Sequence, residues 1–181
     1  MDKSKNSYKL DVDRVNMCFP IVSAIIERDG AEEKEILIQT RWKPVEDPEY
    51  SGTIEIPAGW IDRFENVYNA IKREVLEETG LKVTKIKPDL KSKIFSPRND
   101  ENFTFIPFCC QQQTKGGKPW IGFVFVCEVE NKKPVALKEE VRNIRWIKKS
   151  ELKKIIEKTP EKIFTLQLGA LDYYINYNDK K

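Results

Sequence analysis

No histidine occurs anywhere in the 181 residues. That absence excludes a serine–histidine triad, a histidine zinc site and an imidazole general base. Cysteine is scarce, and Cys18, Cys109, Cys110 and Cys127 form no CxxC pair, so no thiolate metal site or disulfide framework is indicated. Cys109 and Cys127 fall in apolar, strand-like runs, where a thiol is ordinarily a buried packing residue. No run is long and apolar enough to cross a bilayer, and the polar stretch from Met1 to Asn16 lacks the core of a signal peptide. The expectation is a cytoplasmic protein without a membrane partner. Charge of one sign is missing too: 32 Lys and Arg against 29 Asp and Glu leave +3, which does not favour binding to long nucleic acid.

What is present suits one globular domain, with 40% hydrophobic residues in a chain long enough to bury a continuous core. The boundaries expected are an N-terminal extension over 1–18 and a single domain over 19–177. Phe19 to Glu27 and Glu35 to Arg41 are rich in β-branched residues and flank Asp29-Gly30, so they read as a hairpin. Thr53 to Pro57 is a short strand, and Asn66 caps a helix that runs to Thr79 and stops at Gly80. Phe103 to Cys110 and Trp120 to Glu130 read as strands around the turn at Gly116-Gly117-Lys118-Pro119, with a last strand over Val141 to Ile147. Ser150 offers a cap for a helix through Glu157, and Thr159-Pro160 opens another carrying Ile163, Leu166, Leu168 and Leu171. Strands first and helices late, with one helix between, argue for an α+β fold with a mixed sheet flanked by helices.

The middle helix carries the chemistry. At ~100° per residue, Val67, Ala70, Ile71 and Val75 share a stripe that should face the core. Glu74, Glu77 and Glu78 fall within or beside that stripe, and as i, i+3 and i+4 neighbours roughly 5 to 6 Å apart they repel one another. They also occupy the last turns, where the helix dipole presents its negative end. Arg73 answers only part of this charge, with Asp62 and Glu65 close to the helix entrance. The arrangement asks for a hard divalent cation such as Mg²⁺ or Mn²⁺, which takes oxygen ligands and bridges to phosphates.

Read from Gly59, the segment GWIDRFENVYNAIKREVLEETGL resembles the Nudix box GX5EX7REUXEEXGU at every defined position: Gly59, Glu65, Arg73, Glu74, Val75, Glu77, Glu78, Gly80 and Leu81. The resemblance implies a Nudix-like α/β/α sandwich with a mixed β-sheet, and a site that binds Mg²⁺ or Mn²⁺ and directs water onto a phosphorus of a nucleoside diphosphate derivative. It further implies metal ligation by Glu74, Glu77 and Glu78, by the backbone carbonyl of Ala58, and support from Glu65. Arg73 would orient the glutamates. Phe64 departs from the glycine that many members have before the first glutamate, which bears on the loop shape.

IEIPAG at Ile54 to Gly59 is similar to the strand entry of ADP-ribose and nucleotide-sugar pyrophosphatases. Pro97, 16 residues past Leu81, resembles their ADP-ribose proline, and Arg41 the arginine that holds substrate phosphates. Set against these are a plain loop role for Pro97 and a surface ion pair for Arg41. The expected partner is a small-molecule nucleotide, with homodimerisation left open because the segment before Phe19 is too short for most of a swapped N-terminal domain. Without histidine, the proton acceptor is a carboxylate or a hydroxide held on metal; Glu74 and Glu77 in the box, and Glu139 and Glu140 on the loop before the last strand, are the candidates. Trp42, Trp60, Phe95 and Trp120 are candidates for stacking on a base, each also readable as packing. Alternative substrates are non-standard nucleoside triphosphates and dinucleoside polyphosphates. A non-catalytic nucleotide sensor is the alternative of another class, although the box here is intact; prenyl diphosphate isomerisation is disfavoured by the lack of histidine.

Overall fold

The computed structural model describes residues 17–88, 93–117 and 119–177. Nearly all of the expected extension over 1–18 lies outside them, as does Lys118 of the expected turn. The strands are β1 (Phe19–Asp29), β2 (Lys34–Arg41), β3 (Ile54–Glu55), β4 (Ala58–Trp60), β5 (Val83–Lys87), β6 (Ile94–Phe95), β7 (Asn102–Phe103), β8 (Cys109–Gln112), β9 (Trp120–Val129) and β10 (Val141–Lys148). The helices are α1 (Val67–Thr79), α2 (Lys149–Lys158) and α3 (Thr165–Asn176). The main sheet runs β10-β2-β1-β9-β5, with β3 on β2, β4 on β1 and β8 on β9; β6 and β7 pair apart. β1 and β9 are parallel while the other pairs are antiparallel, so the sheet is mixed.

Strand alternation divides the core between the two faces. Val22, Ala24, Ile26 and Leu37 pack with Val67, Ala70, Ile71 and Val75 of α1. Ile25, Ile36 and Ile38 face the other way, against Leu152 of α2 and Ala170, Leu171 and Tyr174 of α3. The result is the expected α/β/α sandwich. At ~1.5–3 kcal/mol for each large apolar side chain removed from water, these two layers hold the sheet against which the box helix packs.

Three local expectations are corrected. Phe103 to Cys110 is not one strand: only its ends pair, in β7 and β8, and Phe103 and Phe105 instead pack against the α1 side of the core. Pro107, which has no N–H to give a ladder, interrupts the run. Ser150 does not cap α2, whose N-cap is Lys148 with no side-chain bond. The Ser150 N–H and hydroxyl both donate to the Glu33 carboxylate instead, at 3.0 and 2.5 Å. Thr159-Pro160 opens only a single 3-10 turn, after which Ile163 is extended and α3 begins at Thr165. There Phe164 N–H donates to Ile54 O at 2.8 Å and Ile163 bridges Ile54, so the chain between the helices is drawn onto β3.

Candidate functional site

α1 begins and ends as its sequence dictates. The Asn66 side chain accepts from Tyr68 N–H, and Gly80, with φ 68°, turns left-handed and donates its N–H to Leu76 O. Before it, β4 pairs Trp60, Gly59 and Ala58 with Ile21, Val22 and Ser23 of β1, which fixes the entry loop to the sheet. Arg73 closes that loop on the helix. Its Nε and Nη2 donate to the two Glu65 oxygens at 2.9 and 2.8 Å, and Nη2 also to Trp60 O at 2.9 Å. The Arg73 hydrogen bond holds the Glu65 carboxyl below its usual range, helped by the Asp62 N–H. The guanidinium also reaches Glu74 Oε1 at 2.5 Å.

Phe64 takes the left-handed conformation, with φ 62°, that a glycine would occupy freely, and its ring is 94% exposed. The loop therefore keeps its shape at a cost in backbone strain. Phe64→Gly relieves ~1–2 kcal/mol of that strain against ~0.5–1 kcal/mol of added chain entropy. The urea midpoint should rise; a lower midpoint would show that the ring packs on something its exposure does not reveal.

The three helix glutamates do come together, though unequally. Glu74 and Glu78 are 4% and 7% exposed, whereas Glu77 is half exposed at the rim. Glu74 lies so close to the Gly59 backbone that a Cβ there would sit 2.1 Å from its carboxylate. A side chain at Gly59 would therefore displace this carboxylate from the position in which Arg73 and Lys138 hold it. Glu78 Oε2 accepts from Gln39 Nε2 at 2.7 Å and from Ala58 N–H at 3.3 Å, which brings the Ala58 backbone against this carboxylate.

Burial pushes the Glu78 carboxyl up to about 8, and the nearby charges of Glu55 and Glu74 push the same way. Burial likewise raises Glu55, partly offset by Arg41 and Gln39. Because the folded-state value of Glu78 exceeds the unfolded one, its contribution to stability is complete below the ordinary value of 4.5 and is lost as pH rises through about 8. In chelator, the melting temperature of the parent should fall relative to Glu78→Gln between those two pH values. Parallel melting profiles for the two proteins would contradict this.

Among the described residues, no three acidic or thiol side chains form a ready-made metal cluster. The chain's own cations are inserted instead: Arg73 at Glu74, and Lys138, whose Nζ lies 3.0 Å from Glu74 Oε2 and 2.9 Å from Glu77 Oε2. Burial alone would lower the Lys138 ammonium, but its bonds to Glu77 and Glu74 more than offset this and raise it. Two cations drawn into one carboxylate group are a direct sign of its negative potential. The donor set, all oxygen and seated on a glycine, fits Mg²⁺ or Mn²⁺ in chemistry. Sequence reasoning missed Lys138, and no local pattern marks it.

The remaining expected residues are placed as follows. Glu140 pairs with Lys43 at 2.5 Å, while Glu139 is exposed beside Lys138. Arg41 gives Nε and Nη2 to Asp47 at 3.0 and 2.6 Å and Nη1 to Glu55 at 3.2 Å, and it stacks 4.5 Å from the Phe164 ring. It is a partly buried ion-pair member, held near the box by Glu55. Pro97 lies in an exposed bend. Trp42 lies under the Arg142 guanidinium and Trp120 is buried, whereas Trp60 is half exposed next to Gly59, edge-on to Phe19 at 5.1 Å. Gln39 and Glu55 were also missed, although Glu55 sits within IEIPAG and a glutamine among the isoleucines and leucine of β2 is a visible anomaly.

The family model described as the NUDIX domain matches residues 19–167. No curated protein matches the chain. Solved structures with the same fold include a MutT NUDIX hydrolase from Burkholderia pseudomallei, 20% identical, covering 74% of this chain and 85% of its own, with a TM-score of 0.53. The NUDIX domain of Shewanella oneidensis NrtR, solved with ADP ribose, is 12% identical over 85% of this chain and 88% of its own, with a TM-score of 0.57. A C. elegans Ap4A hydrolase in a binary complex is 18% identical over 85% and 94%, with a TM-score of 0.55.

Proposed function

This chain belongs to the Nudix family, whose hydrolases act on phosphate anhydride bonds, and from that premise we propose that it cleaves the diphosphate linkage of a nucleoside diphosphate derivative, with ADP-ribose or a nucleotide sugar favoured. The observation that carries the reading is the pair Glu74 and Glu78, buried on the core side of α1 beside Gly59, with Glu77 at the rim. Buried carboxylates so close together repel when both are ionised, so one keeps its proton unless a cation serves them.

Mg²⁺ or Mn²⁺ held by Glu74, Glu77 and Glu78, with the Ala58 backbone and Glu65 in support, would neutralise the phosphates and lower the pKa of the attacking water. The residues of this chain do the rest. Arg73 holds Glu74 Oε1 and Gly59 leaves room for the carboxylate, so that its oxygens need reorganise little when substrate arrives. Arg41, kept near the box by Glu55, is the candidate for the outer phosphate. Lys138 would have to vacate Glu74 and Glu77 for these carboxylates to hold a divalent ion, and its loop carries Glu139, the candidate acceptor of the water's proton. Trp60 offers its half-exposed ring to a base.

The substrate is supported by IEIPAG, Arg41 and Pro97 together. A panel of ADP-ribose, nucleotide sugars, NADH, dinucleoside polyphosphates and nucleoside triphosphates, each with Mg²⁺ or Mn²⁺, tests it. ADP-ribose should yield AMP and a sugar phosphate. Cleavage of triphosphates alone, releasing pyrophosphate, would replace this reading with that of a nucleotide-pool sanitising enzyme; tight binding of ADP-ribose without turnover would indicate a sensor.

A further inference from the structure

β2 places Ile36 and Ile38 in one core and Leu37 in the other, and by alternation Gln39 shares the α1 face with Leu37. It is 1% exposed. A buried amide costs ~1–3 kcal/mol unless its polar atoms are bonded, and this one is bonded on one side only. Its Nε2 spans two carboxylates, Glu78 Oε2 at 2.7 Å and Glu55 Oε1 at 3.2 Å. Its Oε1 is buried with no hydrogen-bond partner among the described residues. An acceptor left open beside two carboxylates asks for a donor from outside the chain, as the water shell of a hydrated cation supplies.

Glu55 sharpens the anomaly. It stands opposite Gln39 in the β2–β3 pairing and is 6% exposed. Arg41 touches its second oxygen at 3.2 Å but gives its shorter bonds to Asp47. Glu55 is therefore a buried carboxylate with two long contacts, facing a second buried carboxylate across one shared NH₂ group. A pair built only for stability would be costly in this form.

We propose that Glu55 is a member of the cation-binding carboxylate set alongside Glu78, with Gln39 as the positioning residue that spaces the two. This rests on reading Glu78 as a cation ligand. It extends the site from the box helix onto β2 and β3 and explains why a glutamine is buried directly after Ile36, Leu37 and Ile38. It also couples Arg41 to the metal through Glu55.

The test is Mn²⁺ titration of the full chain, with free Mn²⁺ read by electron paramagnetic resonance and no substrate present. Parent, Glu55→Gln, Glu78→Gln and Gln39→Met are compared, with melting temperatures in chelator to verify the fold. Glu55→Gln keeps shape and removes charge, and should weaken Mn²⁺ binding by ~10- to 100-fold with a melting temperature near that of the parent. Gln39→Met should weaken binding in the same direction; should Glu55→Gln not fold, Glu55→Asp, which keeps the charge and shortens its reach, takes its place and should also weaken binding, a parent-like affinity overturning the inference. Parent-like Mn²⁺ affinity in Glu55→Gln, with weakened binding in Glu78→Gln, would overturn the inference and leave the box reading standing. No Mn²⁺ binding by the parent would overturn both.

Discussion

Glu78→Gln should lower turnover by ~10²- to 10³-fold or more, the scale on which a site loses one aligned electrostatic contributor, and should not destabilise the cation-free protein. The substitution removes charge and little else. The glutamine oxygen can still accept from Gln39 Nε2 and Ala58 N–H, which now bond Glu78 at 2.7 and 3.3 Å. Repulsion from Glu55 and Glu74 disappears with the charge. Lost activity beside a melting temperature in chelator equal to or above that of the parent is the signature of a residue kept for function against stability. Mg²⁺ should then raise the melting temperature of the parent much more than that of the variant. Parent-like kinetics at limiting metal would remove Glu78 from the site.

The second large effect is expected at Glu139. A positioned general base contributes ~10²- to 10⁴-fold in rate, and Glu139→Gln should reduce kcat by about that factor with little change in metal affinity. Its neighbour Lys138 already reaches Glu74 and Glu77, so this loop comes to the carboxylates. Glu140, by contrast, is turned onto Lys43. The single variant Glu140→Gln should therefore stay within a few-fold of the parent, a distinction between the two acids that their sequence does not make. If Glu139→Gln and the double variant both keep parental kcat at saturating metal, the proton acceptor lies in the box, with Glu74 or Glu77.

The box helix was legible in the sequence because everything that shapes it is local. Asn66, the 3.6-residue stripe and Gly80 set its ends and face, and the structure returns Val67, Ala70, Ile71 and Val75 buried with Glu74 and Glu78 among them. The long strands β1, β2, β9 and β10 were legible for the same reason. What was not legible depends on distant partners. β4 is a strand only because β1 lies beside it, β5 with its Lys-rich alternation only because β9 does, and Ser150 abandons its cap position for Glu33, 117 residues away in sequence. Lys138 reaches Glu74 across 64 residues and Gln39 reaches Glu78 across 39. No window of the sequence contains either pair. Motif and periodicity thus show which carboxylates gather, while the fold alone shows what else gathers with them.

The most direct measurement of the central claim is a ³¹P spectrum of ADP-ribose incubated with the protein and Mg²⁺, repeated with excess chelator. The account expects the diphosphate resonances to give way to two phosphomonoester signals, from AMP and a sugar phosphate, and to persist when chelator is present. Diphosphate signals that survive in ADP-ribose and in every other member of the substrate panel, with Mg²⁺ or Mn²⁺ supplied, would contradict it.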